Sequence, residues 1–139
     1  MKPIQNSKFK NTGFHHIALK VNDFDKSCRL YTDVLGMNIA LSWGDAPDRA
    51  CMMDIGDGTY LELFEGGTSD GTLQSEPMIH FALLTDECDQ MYDAAIAAGC
   101  VNNMEPEDLV INGHQGDQPI RISFVVGYDG ELLEFFQYK

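Results

Sequence analysis

The chain has 139 residues, one domain's worth and long enough to bury a core without disulfides. Its 22 acidic and 9 basic side chains give a net charge of -13, which excludes the basic footprint that nucleic acid or an anionic membrane requires. The four cysteines lack C-x-x-C spacing, and there is neither an apolar leader nor an apolar run near ~18 residues, so a cytoplasmic protein with reduced thiols is expected.

Residues 1–12 form a polar arm with three lysines. Residues 14–21 alternate as a strand, with His15, Ile17, Leu19 and Val21 on one face and His16, Ala18 and Lys20 on the other. Asn22-Asp23 offers an N-cap to a helix with apolar positions Phe24, Cys28, Tyr31 and Leu35, which Gly36 stops. Weaker strand signals span 38–43 and 50–55, separated by a Gly-Asp-Ala-Pro-Asp turn, and a strand over 57–64 follows. Met52 and Met53 read as packing on opposite faces, and Trp43 as core or interface.

Residues 65–76, rich in Gly, Ser and Thr, read as a linker. The pattern then restarts. His80-Phe81-Ala82-Leu83 repeats the His-apolar-Ala-Leu of residues 16–19, and a helix over 88–98 buries Met91, Ala95 and Ile96 before Gly99. Strand signals at 100–104 and 119–126 flank what reads as a long polar loop, 105–118, in which His114 is an exposed loop residue. The chain closes on Asp129-Gly130-Glu131-Leu132-Leu133-Glu134-Phe135-Phe136, an echo of Asp57-Gly58-Thr59-Tyr60-Leu61-Glu62-Leu63-Phe64. In both copies Asp-Gly signals a tight turn. Alternation then sets Leu61 and Leu63 against Tyr60, Glu62 and Phe64, and Leu133 and Phe135 against Leu132, Glu134 and Phe136.

His16 to His80 is 64 positions and Glu62 to Glu134 is 72, the difference absorbed by the longer second-half loop. The organisation expected is therefore a single α+β domain of two tandem βαβββ modules, about 13–64 and 77–138, forming a curled mixed sheet with the helices outside. His16, Glu62, His80 and Glu134 then share the inner face. A carboxylate among large apolar side chains is costly unless paired. Each of the four alone reads as an ordinary polar strand residue, but their repetition in one frame points to a ligand set for Zn, Ni, Co or Mn.

These motifs resemble the vicinal oxygen chelate superfamily, the glyoxalase, bleomycin-resistance and extradiol dioxygenase group. The resemblance runs from His15 to Gln137 and rests on residues 16–21, the Tyr31-to-Gly36 run, Leu61-Glu62-Leu63, His80-Phe81-Ala82-Leu83 and residues 129–134. The order His, Glu, His, Glu is similar to bacterial-type glyoxalase I, lactoylglutathione lyase. That similarity implies one divalent metal (Ni, Co or Zn) held by His16, Glu62, His80 and Glu134, and a homodimer. The metal would take the vicinal oxygens of a substrate, such as a glutathione hemithioacetal, as a Lewis acid stabilising an enediolate. Glu134 would move the proton, with Glu62 a second base or a ligand. Tyr60, Phe64 and Phe136 would line the pocket. Lys20 stands where the family has Arg, while Glu76 replaces Arg and Gly66 replaces Asn, leaving Arg49 and Arg121 as alternative substrate anchors. Two other readings stay open: an epimerase of the methylmalonyl-CoA type, and a non-catalytic small-molecule binder.

Overall fold

Strand β1, His16–Lys20, sits at one edge of a sheet whose order is β1-β4-β3-β2, with β2 Asn38–Trp43, β3 Ala50–Asp54 and β4 Tyr60–Phe64. A computed structural model of the protein describes residues 14, 16–73, 80–113 and 116–139. The readings of the N-terminal arm, His15, Glu76 and His114 fall outside the described residues.

The second sheet repeats the first in order, β5-β8-β7-β6, from β5 Phe81–Leu84, β6 Val101–Gly113, β7 Gly116–Val126 and β8 Leu132–Tyr138. In each module the first strand runs parallel to the last, and the other neighbours are antiparallel. A parallel pair needs a crossover, supplied here by one helix per module: α1, Phe24–Arg29, and α2, Cys88–Ala97. This is the expected α+β class with two βαβββ modules.

The Asp23 side chain accepts the backbone N–H of Lys26 and so caps α1, as the Asn-Asp signal suggested. Residues 30–34 then widen into a π turn, with the Leu35 N–H donated to the Leu30 carbonyl five residues back. Tyr31, within that turn, is fully buried. Both Asp-Gly turns form with glycine at φ +81° and +84°, values that only glycine reaches without strain.

Period two decides what is core. Leu61, Leu63, Leu133 and Phe135 point at the helices and are fully buried. They join Val21, Leu30, Tyr31, Met53, Cys88, Ala95 and Val125 in one cluster that runs through both modules. Each such aliphatic or aromatic side chain stabilises the fold by roughly 1.5–3 kcal/mol relative to exposure.

The loop expected over 105–118 is instead strand at residues 105–113 and 116–118. β6 and β7 pair from Val101↔Val126 to Gly113↔Gly116, with register shifts between Asn102 and Glu107. Polar composition suggests a loop only where the backbone lacks a partner; here the ladder satisfies it while Glu107, Asp108 and Asn112 stay in water. Pro106 is tolerated because β6 is an edge strand.

The modules meet on their helix side. Asp129, in the turn before β8, accepts the Asn22 backbone N–H at 2.8 Å and the Ser27 hydroxyl at 3.2 Å. Tyr31 donates its hydroxyl to Glu131, whose other oxygen accepts the Asp129 backbone N–H. Burial holds the Glu131 carboxyl above the ordinary carboxylate range, opposed by the Tyr31 bond, and pushes the Tyr31 hydroxyl well up.

Candidate metal centre

Two half-sites face away from the helices. In the first, β1 and β4 lie parallel with His16 opposite Tyr60, Ala18 opposite Glu62 and Lys20 opposite Phe64. His16 Nε2 lies 3.6 Å from Glu62 Oε2. In the second, Ala82 lies opposite Glu134, and His80 Nε2 is 3.0 Å from Glu134 Oε2. The small Ala18 and Ala82 leave the space beside each carboxylate into which the histidine two residues earlier can lean.

The surroundings of the carboxylates differ. Glu62 is flanked on β3 by Met52, and Glu134 on β7 by Phe124, whose ring meets that of His80 edge-on at 5.4 Å between centroids. Burial pushes the Glu134 carboxyl above its ordinary range, and the His80 charge works against that shift. Its side chain is 9% exposed, against 13% for Glu62.

The donor chemistry and spacing of each pair suit a divalent ion. Two ligands bonded to one zinc-like ion at ~2.0–2.2 Å lie roughly 2.8–3.6 Å from each other, and both His-Glu separations match that range. Each pair is only half a shell. The sequence leaves open whether the four ligands come from one chain or two; among the described residues of the single chain, no three His, Cys, Asp or Glu side chains come close enough to hold a metal. The reason is the module packing, which joins the halves through their helix sides and leaves each pair on its own sheet.

Of the other candidate residues, Tyr60, Phe64 and Lys20 share the Glu62 and His16 face, and Phe136 shares that of Glu134. Arg49 and Arg121 do not. Arg49 pairs bidentately with Glu65 and reaches Asp25 on α1. Arg121 pairs bidentately with Asp89 on α2 and also holds Asp108. Both lie on the helix face with their charge committed, so their role as substrate anchors is withdrawn. Alternation carried the signal: Arg49 falls in phase with Cys51 and Met53, and Arg121 with Ser123 and Val125, the helix-facing sets.

Sequence reasoning missed Phe124, which the register places across from Glu134, and the use of Trp43 on the ligand face, where it packs edge-on against Phe64 at 6.2 Å. The strand phase of residues 120–126 would have put Phe124 on the face opposite the fully buried Val125.

A family model described as the glyoxalase/bleomycin resistance protein/dioxygenase superfamily matches residues 13–135. The chain belongs to this superfamily. Among curated relatives, the protein YwbC of Bacillus subtilis is 30% identical over 127 residues, covering 88% of this chain and 94% of its own. A probable lactoylglutathione lyase of Vibrio cholerae is 28% identical over 130 residues, 89% of each chain. Solved superfamily structures share the fold. A mutant of the fosfomycin resistance protein FosX from Listeria monocytogenes, complexed with Mn(II) and 1S,2S-dihydroxypropylphosphonic acid, matches with TM-score 0.66 at 20% identity over 93% of this chain and 94% of that one. A superfamily domain from Frankia matches with TM-score 0.69 at 19% identity, over 92% and 98%. Among the described residues no helix is long and apolar enough to cross a membrane.

Proposed function

We propose that this chain is a cytoplasmic metal-dependent lyase or isomerase of the glyoxalase I type, moving a proton between adjacent carbons of a small substrate with vicinal oxygens. The observation that carries this reading is the repetition itself: one histidine Nε2 beside one glutamate carboxylate, at the same strand-paired position, in both modules. The relative named a probable lactoylglutathione lyase supports the reaction class.

His16, Glu62, His80 and Glu134 would hold one divalent ion, Ni, Co or Zn, which when bound supplies Lewis-acid polarisation of a substrate oxygen. Because each sheet offers two donors, the full set is completed in a homodimer, with His16 and Glu62 of one copy meeting His80 and Glu134 of the other. Apolar side chains left open beside the pairs support such a partner: Leu41, Trp43 and Phe64 in the first module, Leu84 and Tyr138 in the second. Glu134 is the base. Its burial raises its proton affinity toward the working pH, and positioned general bases contribute ~10²- to 10⁴-fold.

Lys20 and Arg121 are the basic residues of the eight strands, and Arg121 is committed to carboxylates on the helix face. Lys20 therefore remains to meet an anionic group, which favours a substrate of low negative charge over one with the two carboxylates of glutathione.

Elemental analysis before and after chelation, light scattering for mass, and turnover after returning Ni²⁺, Co²⁺ or Zn²⁺ test this reading. About one metal per chain, a dimer, and proton exchange on a hemithioacetal or a smaller α-hydroxycarbonyl are expected. Turnover of a CoA thioester alone would move the assignment to an epimerase. Tight ligand binding without turnover, unaffected by Glu134→Gln, would make it a binding protein.

A further inference from the structure

The helix side of the first module holds a feature that metal chemistry does not use. Cys28 on α1 and Cys51 on β3 bring their sulfurs to 3.7 Å, although 23 positions apart in sequence. Cys51 is 2% exposed and Cys28 is half-buried, so one thiol is sheltered and the other open to small reagents. Cys88 and Cys100 are both buried, and Cys88 is engaged by Ser123 and the Phe135 carbonyl.

We propose that Cys28 and Cys51 form a redox-active pair that a hydroperoxide converts into an intramolecular disulfide joining α1 to β3. A disulfide needs its sulfurs ~2.05 Å apart, so closure asks for an approach of about 1.6 Å shared between two side chains. The chemistry balances. The hydroperoxide oxidises Cys28, the accessible thiol, to a sulfenic acid, its O–O bond breaking and one water (or alcohol) leaving. The sheltered thiol then attacks that sulfur, the S–O bond breaks, and a second water leaves with the remaining thiol proton. Two electrons pass from the thiols to the peroxide. The Cys28–Cys51 contact, with burial, pushes the Cys28 thiol up, and the same contact lowers the Cys51 thiol, so access and not acidity selects Cys28 for the first step and Cys51 is the attacking thiolate of the second. Because the bond lies on the face of the sheet opposite Glu62, it ties down the module without entering the half-site.

The test uses the full chain, reduced and then exposed to hydrogen peroxide, blocked with N-ethylmaleimide and analysed by intact mass and peptide mapping. The expected result is loss of two of the four reactive thiols, a peptide linking Cys28 to Cys51 that is lighter by two hydrogens, and recovery of four thiols with dithiothreitol. Cys28→Ser, at the more exposed position, should retain three thiols after the same treatment. Four thiols surviving in the wild type, sulfinic or sulfonic products in place of the link, a link to Cys88, Cys100 or a second chain, or loss of two thiols in Cys28→Ser would each overturn the proposal.

Discussion

The two modules carry the same histidine–glutamate pair in unequal settings. In the first, His16 and Glu62 lie 3.6 Å apart beside a flexible methionine, and the histidine side chain is 41% exposed. In the second, His80 and Glu134 lie 3.0 Å apart, the histidine braced by the Phe124 ring and the glutamate pushed toward its protonated form by burial. Repetition of a motif therefore does not imply repetition of a role. On the proposed reading, the Glu134 carboxyl raised by burial is the one suited to hold and release a proton.

The largest effect that could break this comparison is on turnover. Glu134→Gln is expected to lower kcat by about a thousandfold, as for loss of a general base. Glu62→Gln should chiefly weaken metal retention, with a smaller loss of turnover at saturating metal; kcat measured across a metal titration for both variants checks the asymmetry, and equal losses would erase it. Next come the cores behind the two sites. Leu61→Ala and Leu133→Ala, each at a fully buried position, should cost about 2–5 kcal/mol in urea denaturation, and similar values would show that the asymmetry is confined to the ligand faces.

The seam sharpens the comparison further. Tyr31→Phe strips Glu131 of a buried donor and should cost about 1–3 kcal/mol by the same denaturation measurement. Glu131 also gives a pH dependence. Its carboxyl is raised in the folded state, so the contribution of its protonated form is fully present below the ordinary value of 4.5 and is lost as pH rises through the folded value. The stability of the wild type minus that of Glu131→Gln should thus fall as pH climbs above 4.5 and level off once the pH passes the folded value. The smallest effect separates the helices: Asp23→Ala should cost about 1 kcal/mol, as for other lost caps. Glu87→Ala should change thermal stability little, since the Glu87 side chain makes no capping bond to α2.

Much of this was legible because period two is a local property. The faces of residues 16–20, 60–64 and 132–136 follow from alternation alone, and the Asp-Gly pairs mark their turns. The β6–β7 hairpin was hidden because an exposed strand with Glu107, Asp108 and Asn112 resembles a loop until its partner is known. The seam was hidden for a different reason. Its bonds join residues about a hundred positions apart, Tyr31 with Glu131 and Ser27 with Asp129, and no pattern of spacing encodes them. The separation of the ligands into two pairs likewise depends on how finished modules pack.

The seam, unlike the strands it joins, is not repeated. Repeats that dock through matching surfaces can in principle continue into an array, as solenoids do. Here the side-chain donors Ser27 and Tyr31 lie in the first module and their acceptors Asp129 and Glu131 in the second. Ser27 and Tyr31, shifted by the 64 positions that separate His16 from His80, become Met91 and Ala95, neither of which can donate a side-chain hydrogen bond. Glu131 corresponds to Thr59, whose hydroxyl and N–H both turn back on Asp57. Asp129 alone has a counterpart in kind, Asp57, which holds its own turn, so the two modules dock through surfaces that are not interchangeable.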